Sequence, residues 1–239
     1  MTEASFRASA PLQRARAAIG SGDLREAEVA CRQILSRNPN DPEAIHLLGI
    51  VALRTGNTKS AVSLFRRAVI ADSKYAEAHM NLGVALRLTG NRKESRESLE
   101  AAGRLKPGSA QIQYNLGLAD VEAGELENAL RHLKKAARIS PKSGNILSTL
   151  GTVQMRLGQA KDGFLNFKKA AAADPKNPVA QRNLGAALQN AGDNAGAVDA
   201  FAKALSLVPA DPAIKFQFAT ALAQVRRTFE ALPLFREAL

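Results

Sequence analysis

Residues 178–211 read PVAQRNLGAALQNAGDNAGAVDAFAKALSLVPAD, and the same arrangement of small and apolar residues returns every 34 positions along most of the chain. Gly185 closes the series Gly49, Gly83, Gly117, Gly151 and Gly185, each 34 residues after the last. Gly192 closes a second series, Gly56, Gly90, Gly124, Gly158 and Gly192, seven residues further on. Ala68, Ala102, Ala136, Ala170, Ala204 and Ala238 keep the interval, as do Pro107, Pro141, Pro175 and Pro209, with Pro39 in phase. A fixed period of this length marks a stacked array of one supersecondary unit, and it takes precedence over any local feature.

Each series has a physical task. Asp41-Pro42, Asn177-Pro178 and Asp211-Pro212 place a capping side chain before a proline at the first helical position, where a missing N–H costs nothing. From such a start a first helix of about fourteen residues reaches the second glycine, which can take the left-handed conformation that ends a helix. A second helix follows as far as the prolines, carrying Phe65, Leu99, Leu133, Phe167, Phe201 and Phe235 at one repeated position. The first glycine lies opposite Ala61, Ser95, Ala129, Gly163 or Ala197, so the two helix axes can approach closely, and the Phe or Leu is expected to fill the space between repeats. An apolar stripe this wide cannot be buried within one hairpin, so every repeat needs its neighbour.

The pattern resembles the tetratricopeptide repeat family over nearly the whole chain. The resemblance implies an all-α fold, a right-handed α-solenoid of helix-turn-helix repeats. The period divides residues 8–239 into one solenoid: a degenerate repeat at 8–41, full repeats at 42–75, 76–109, 110–143, 144–177 and 178–211, and an incomplete one at 212–239, behind a flexible stretch at 1–7. The last repeat departs from the pattern, with Ala219 and Arg226 in place of the two glycines and Pro233 inside its second helix. No polar helix follows Leu232, Leu234, Phe235 and Leu239. Either the chain is the N-terminal part of a longer protein, or its end is covered by a partner or a second copy.

Composition narrows the function classes. Of the 239 residues 46% are hydrophobic, enough for a continuous core, and only 5% are aromatic, with no Trp, which suits closely packed helices. One cysteine, Cys31, excludes an internal disulfide framework, and it replaces the usual aromatic of the degenerate repeat as a buried small apolar side chain. No segment stays apolar for the roughly 18 residues of a membrane span, and the N-terminus lacks a signal pattern, so a cytoplasmic protein is expected. The three histidines, His46, His79 and His132, fall at different repeat positions with no nucleophile, carboxylate pair or metal spacing around them. No enzyme activity and no cofactor or metal are expected from this chain.

In the family, the first helices line a concave groove. The sixth position of each repeat reads Leu47, Asn81, Asn115, Thr149, Asn183 and Gln217, giving Asn-Leu-Gly at 81–83, 115–117 and 183–185. A primary amide donates and accepts together, so a column of them can grip the backbone of an extended chain whatever its side chains are. Successive repeats advance by roughly 10 Å, which an extended peptide covers in about three residues. The fifth position holds His46, Met80, Tyr114, Ser148, Arg182 and Phe216, with Arg54, Arg87 and Arg156 further along. Met80, Tyr114, Arg87, Arg156 and Arg182 are the candidate selectivity residues. A carboxylate clamp is not expected, since Ile50, Val84 and Ala186 hold the ninth position.

The asparagine column resembles the repeat region of O-GlcNAc transferase and its bacterial relatives, on Asn81, Asn115 and Asn183 alone. The stretch from Gly22-Asp23-Leu24 through Asn38-Pro39 to His46-Leu47-Leu48-Gly49 is similar to the opening of bacterial proteins that place such repeats before a glycosyltransferase or sulfotransferase. Three expectations follow: a scaffold holding a protein or extended peptide, the substrate-recruiting part of such a transferase, or a basic solenoid on nucleic acid or an anionic surface. The net charge of +11 invites the last, but its Lys and Arg fall on second helices and turns (Arg66-Arg67, Lys134-Lys135, Lys168-Lys169), without the aromatic residues that stack bases. Self-association through the C-terminal repeat is a further expectation.

Overall fold

The computed structural model describes residues 3–239, with side chains from residue 10 onward. The stretch expected to be flexible, residues 1–7, lies partly outside the described residues and wholly outside the described side chains. Among the described residues there are fourteen α-helices and no strand. In chain order they are α1 (Glu3–Ser21), α2 (Leu24–Leu35), α3 (Pro42–Arg54), α4 (Thr58–Ala71), α5 (Ala76–Leu88), α6 (Arg92–Leu105), α7 (Ala110–Ala123), α8 (Leu126–Ile139), α9 (Gly144–Arg156), α10 (Ala160–Ala173), α11 (Pro178–Asn190), α12 (Asn194–Leu207), α13 (Pro212–Gln224) and α14 (Thr228–Glu237). The chain is all-α, of the helix-turn-helix solenoid class, and forms two compact units, 1–119 and 120–239.

The two turns of the repeat are built as the sequence requires. Gly22, Gly56, Gly90, Gly124, Gly158 and Gly192 all take a φ between 75° and 85°. The residue after each later glycine sends its N–H back five residues, as in Asn57 to Ala52 (2.8 Å) and Asp193 to Leu188 (3.0 Å), which closes the first helix and reverses the chain. Asn57 and Asp193 then cap the second helix through their side chains, accepting from Ser60 and Gly196. Asp41, Asn177 and Asp211 cap α3, α11 and α13, each with proline at the first turn. In the last repeat Arg226 holds φ at 65° where glycine stands elsewhere, a conformation that costs an L-residue roughly 1 kcal/mol. Helix α14 forms despite Pro233, at 10 residues against 14 for α12.

The first glycine has a more specific task than letting axes approach. A Cβ added at Gly49 would lie 2.6 Å from the Phe65 ring, at Gly151 2.8 Å from Phe167, and at Gly185 2.8 Å from Phe201. At Gly83 it would meet Leu99 at 2.6 Å. The large residue of the second helix therefore sits on the bare backbone of its own repeat's glycine. It also touches the next repeat: Phe65 packs with Leu82, Ala85 and Leu86 of α5, and Phe201 with Ala219 and Leu222 of α13. Filling the space between repeats is thus only half of its role. The small residue opposite still matters, since Ser95, buried, donates its hydroxyl to the Gly83 carbonyl at 2.7 Å.

Within each unit the second helix of one repeat packs on the first helix of the next. First helices also touch one another across repeats (α1 and α3, α3 and α5, α9 and α11, α11 and α13), while second helices of neighbouring repeats stand apart. The first helices therefore line one side of each unit, and grooves open between second helices on the other.

Gly185→Ala forces a methyl group against a fully buried ring, which costs about 1–3 kcal/mol and outweighs the roughly 1 kcal/mol gained in helix propensity. A lowered melting temperature by circular dichroism is expected for Gly185→Ala. Gly20→Ala, where no atom lies within 4 Å, is expected to leave it unchanged or raise it.

Candidate functional site

On α11 the buried residues are Ala180, Gln181, Gly185 and Ala187, so the side defined by Val179, Arg182, Asn183 and Ala186 is the open one. The spacing i, i+3, i+4, i+7 puts these four on a single helical face. On α13 burial of Ile214, Ala219, Ala221 and Leu222 leaves Phe216, Gln217 and Thr220 on the corresponding face. This face is mixed in a useful way. Val179 and Phe216 are about half exposed, and the Phe216 ring stands edge-on to Phe235 at 5.5 Å, which fixes its orientation. Arg182 and Asn183 are half-buried between them. The Gln217 carbonyl oxygen is buried and has no hydrogen-bond partner. Leaving it unpaired is costly, and a turn of the side chain toward solvent would satisfy it.

In the same unit α9 contributes less. Thr149 and Thr152 turn their hydroxyls back onto the carbonyls of Asn145 and Ser148, at 3.0 Å each. Ser148 is buried with its hydroxyl unpartnered, while Arg156 is exposed. Gln189 reaches from α11 to α13 to donate to Gln224 at 2.8 Å, tying the two helices together at the far end of the face.

The first unit is more closed. His46 is buried, with Tyr75 Oη 2.9 Å from its Nδ1 and Asn81 Nδ2 2.8 Å from its Nε2. Phe65 and Tyr75 pack against the ring at centroid distances of 5.6 and 4.8 Å. Burial pushes the imidazole down from 6.5 to about 4, with Glu77 opposing and Arg16 adding to the shift. The neutral ring has one N–H, so it donates to one of the two neighbours and accepts from the other. Burial likewise pushes the Tyr75 phenol up to about 12. The Asn81 amide is therefore already engaged within the fold. Asn115 is only 6% exposed, and Met80 lies against the cluster of Ala76, Leu99, Ile112 and Leu116. Tyr114 and Arg87 are half-buried. Of the candidate residues, Asn183 and Arg182 share one open face, Arg156 is exposed on α9, and Asn81, Asn115 and Met80 are committed to packing or internal hydrogen bonds.

Two polar pairs lie half-buried inside repeats where the sequence reading places none. His132 Nδ1 lies 2.6 Å from Asp120 Oδ2, with Asp120 only 1% exposed, and Asn166 donates to Gln154 at 2.6 Å. The signal is present in the repeat alignment. One position of the first helix reads Ala52, Leu86, Asp120, Gln154, Leu188 and Leu222, and its partner reads Leu64, Ser98, His132, Asn166, Ala200 and Leu234. Both sides turn polar in the same two repeats, as a buried hydrogen bond requires.

Cys31 is fully buried and its thiol is pushed up to about 11 by that burial, which leaves little thiolate at neutral pH. Among the described residues no three His, Cys, Asp or Glu side chains gather as a metal site, and no helix is long and apolar enough to cross a membrane.

Comparison with known proteins agrees with this architecture. The sequence profile described as tetratricopeptide repeat matches residues 12–76, 46–110, 89–144 and 148–212. A search of curated proteins finds no match. Among solved structures, pilF of Pseudomonas aeruginosa aligns with a TM-score of 0.81 at 18% identity, over 92% of this chain and 98% of that one. The structure of the APC/C hetero-tetramer Cut9-Hcn1 aligns with a TM-score of 0.80 at 18% identity, over 94% of this chain, which spans 44% of the length of the other. YrrB, described as a TPR protein with an unusual peptide-binding site, aligns with a TM-score of 0.60 at 19% identity, over 75% of this chain and 93% of that one. At these identities the likeness is one of fold.

His46 gives a pH dependence with a definite sign. Its folded pKa lies below the unfolded one, so the unfolded chain takes up a proton first. The contribution to stability is intact above pH 6.5 and is lost as the pH falls toward 4, by about 3 kcal/mol. Urea unfolding at pH 7, 5.5 and 4.5 is expected to show a shallower loss of stability in His46→Gln than in the wild type. Parallel curves for the two proteins would mean that the buried imidazole does not set this slope.

Proposed function

Because the chain belongs to the tetratricopeptide repeat family, we propose that it is a protein-binding scaffold whose first-helix face holds an extended segment of a partner polypeptide. The observation that carries this reading is the open face of α11 and α13. There the amides of Asn183 and Gln217 stand beside Phe216, Val179 and Arg182. The amides suit the partner's backbone, which every polypeptide offers. The exposed Phe216 and Val179 suit its apolar side chains, and Arg182, with Arg156 on α9, selects for acidic ones. Backbone gripping plus side-chain pockets is how extended peptides are recognised in general.

Within the asparagine column, Asn183 is the proposed backbone contact. Asn81 would first have to give up its bond to His46, at a cost of roughly 1 kcal/mol, and Asn115 offers little exposed surface. Met80, Tyr114 and Arg87 then shape the first unit's face more than they select a ligand. That YrrB is described as having a peptide-binding site supports a peptide as the class of partner.

A photo-crosslinking amino acid at position 216 tests the reading, with the same amino acid at Lys203 on α12 as the control, since Lys203 is also exposed but lies on a second helix. In native lysate a discrete protein adduct is expected from position 216, weakened by Asn183→Ala, and none from position 203. Equal adducts from both positions, or an adduct at 216 indifferent to Asn183→Ala, would overturn it.

A further inference from the structure

A groove of about 820 Å³ opens between the second helices α8 and α10, on the side of the unit away from the Asn183 face. Its floor is apolar, formed by Leu130 and Ala137 of α8 and by Leu147 and Leu150 of α9. Its rim is cationic: Arg131, Lys134 and Arg138 from α8 and Lys169 from α10, against the single carboxylate of Glu127. Positions 131, 134 and 138 fall at i, i+3 and i+7, so the three cations form a line of about 10 Å along one edge.

Two observations set this groove apart from surface charge in general. Residues 126–176 hold ten Lys and Arg against three Asp and Glu, so most of the net charge of +11 is gathered in this stretch. On other second helices several cations are paired, Arg32 with Glu28, Arg66 with Glu94 and Arg96 with Glu100. Among the described residues Lys134, Arg138 and Lys169 have no carboxylate partner, and Arg131 donates only to Asn128. The equivalent groove between α2 and α4 has about 590 Å³ and an apolar floor too, with Leu48, Val51 and Leu64, but its cations Arg32, Lys59 and Arg67 stand among Thr55, Asn57, Ser60 and Ser63, and Arg32 is paired with Glu28. The α8–α10 groove is therefore set apart by its four rim cations, none of them paired with a carboxylate, and not by its apolar floor.

We propose that the α8–α10 groove docks an acidic amphipathic helix of a partner polypeptide. Leucine-type side chains at helical spacing would cover Leu130, Leu147 and Leu150, and carboxylates three and four residues apart would meet Arg131, Lys134, Arg138 and Lys169. A helix about as long as α8, 14 residues, would lie along the groove. A planar bilayer cannot reach a floor recessed between two helices. A nucleic acid would find no aromatic side chain among the lining residues on which to stack a base. The inference does not rest on the first-helix reading, since it concerns other residues on another side of the unit.

The test is fluorescence anisotropy with a labelled acidic peptide of about 14 residues that carries leucine every third or fourth position and glutamate beside it. A peptide of identical composition with its leucines scattered around the helix serves as comparison, and an oligodeoxythymidylate of equal charge as competitor. Saturable binding of the amphipathic peptide is expected, weakened about tenfold or more by the double variant Lys134→Glu, Arg138→Glu and little changed by the control Lys176→Glu, Lys203→Glu. Circular dichroism checks that both variants stay folded. Equal binding of the two peptides, equal losses in the two double variants, or full displacement by the oligonucleotide at equal charge would each overturn the proposal and leave only diffuse attraction of a basic protein for an anion.

Discussion

Four repeats of this protein are built on one contact, the large side chain of the second helix seated on the bare backbone of a glycine in the first. At Gly49, Gly83, Gly151 and Gly185 the room for a Cβ is already taken by Phe65, Leu99, Phe167 and Phe201. Those side chains are nearly or fully buried, and burying each stabilises the fold by about 2–3 kcal/mol, provided that the glycine lets the helices close. Because Phe65 and Phe201 also touch the following repeat, the same contact that closes a hairpin also stacks it on its neighbour. What remains for each repeat is an outward side of its first helix and an outward side of its second, and both are free to vary.

Much of the fold was legible because its constraints are local and recur. The helix starts at Pro42, Pro178 and Pro212, and the left-handed glycines at Gly56, Gly90 and Gly192, each follow from one residue type at one position. The departure at Arg226 was legible too, though not that the backbone would hold the left-handed conformation without glycine, its neighbour Arg227 keeping the bond to Leu222. The candidate site was legible only in part. A column of amides can be read from a sequence, but whether an amide faces solvent or a neighbour depends on residues one repeat away. His46 and Tyr75, 29 residues apart, together decide that Asn81 is engaged. Among the described residues no such partner holds the Asn183 amide, whose neighbours on its face are Arg182 and Ala186.

The two compact units therefore differ in character on the side lined by first helices. The first ties Tyr75 and Asn81 to a buried, neutral histidine. The second leaves Asn183, Val179 and Phe216 without such a network, and on α8 and α10 the cations Arg131, Lys134, Arg138 and Lys169 have no carboxylate partner. A scaffold with two chemically unlike faces can hold two segments of a partner, or two partners, and linked binding of that kind gains far more than either contact alone when the spacing allows it.

The claim that the first-helix face of α11 and α13 holds a polypeptide backbone is tested most directly at the amides themselves. The side-chain NH₂ resonances of Asn183 and Gln217 in a nitrogen-15 labelled chain can be followed while a captured partner segment is added. On this account those two resonances shift together and saturably, while that of Asn81, already bonded to His46, stays in place. Saturable binding that moves only residues of the second helices and leaves Asn183 and Gln217 unshifted would contradict it.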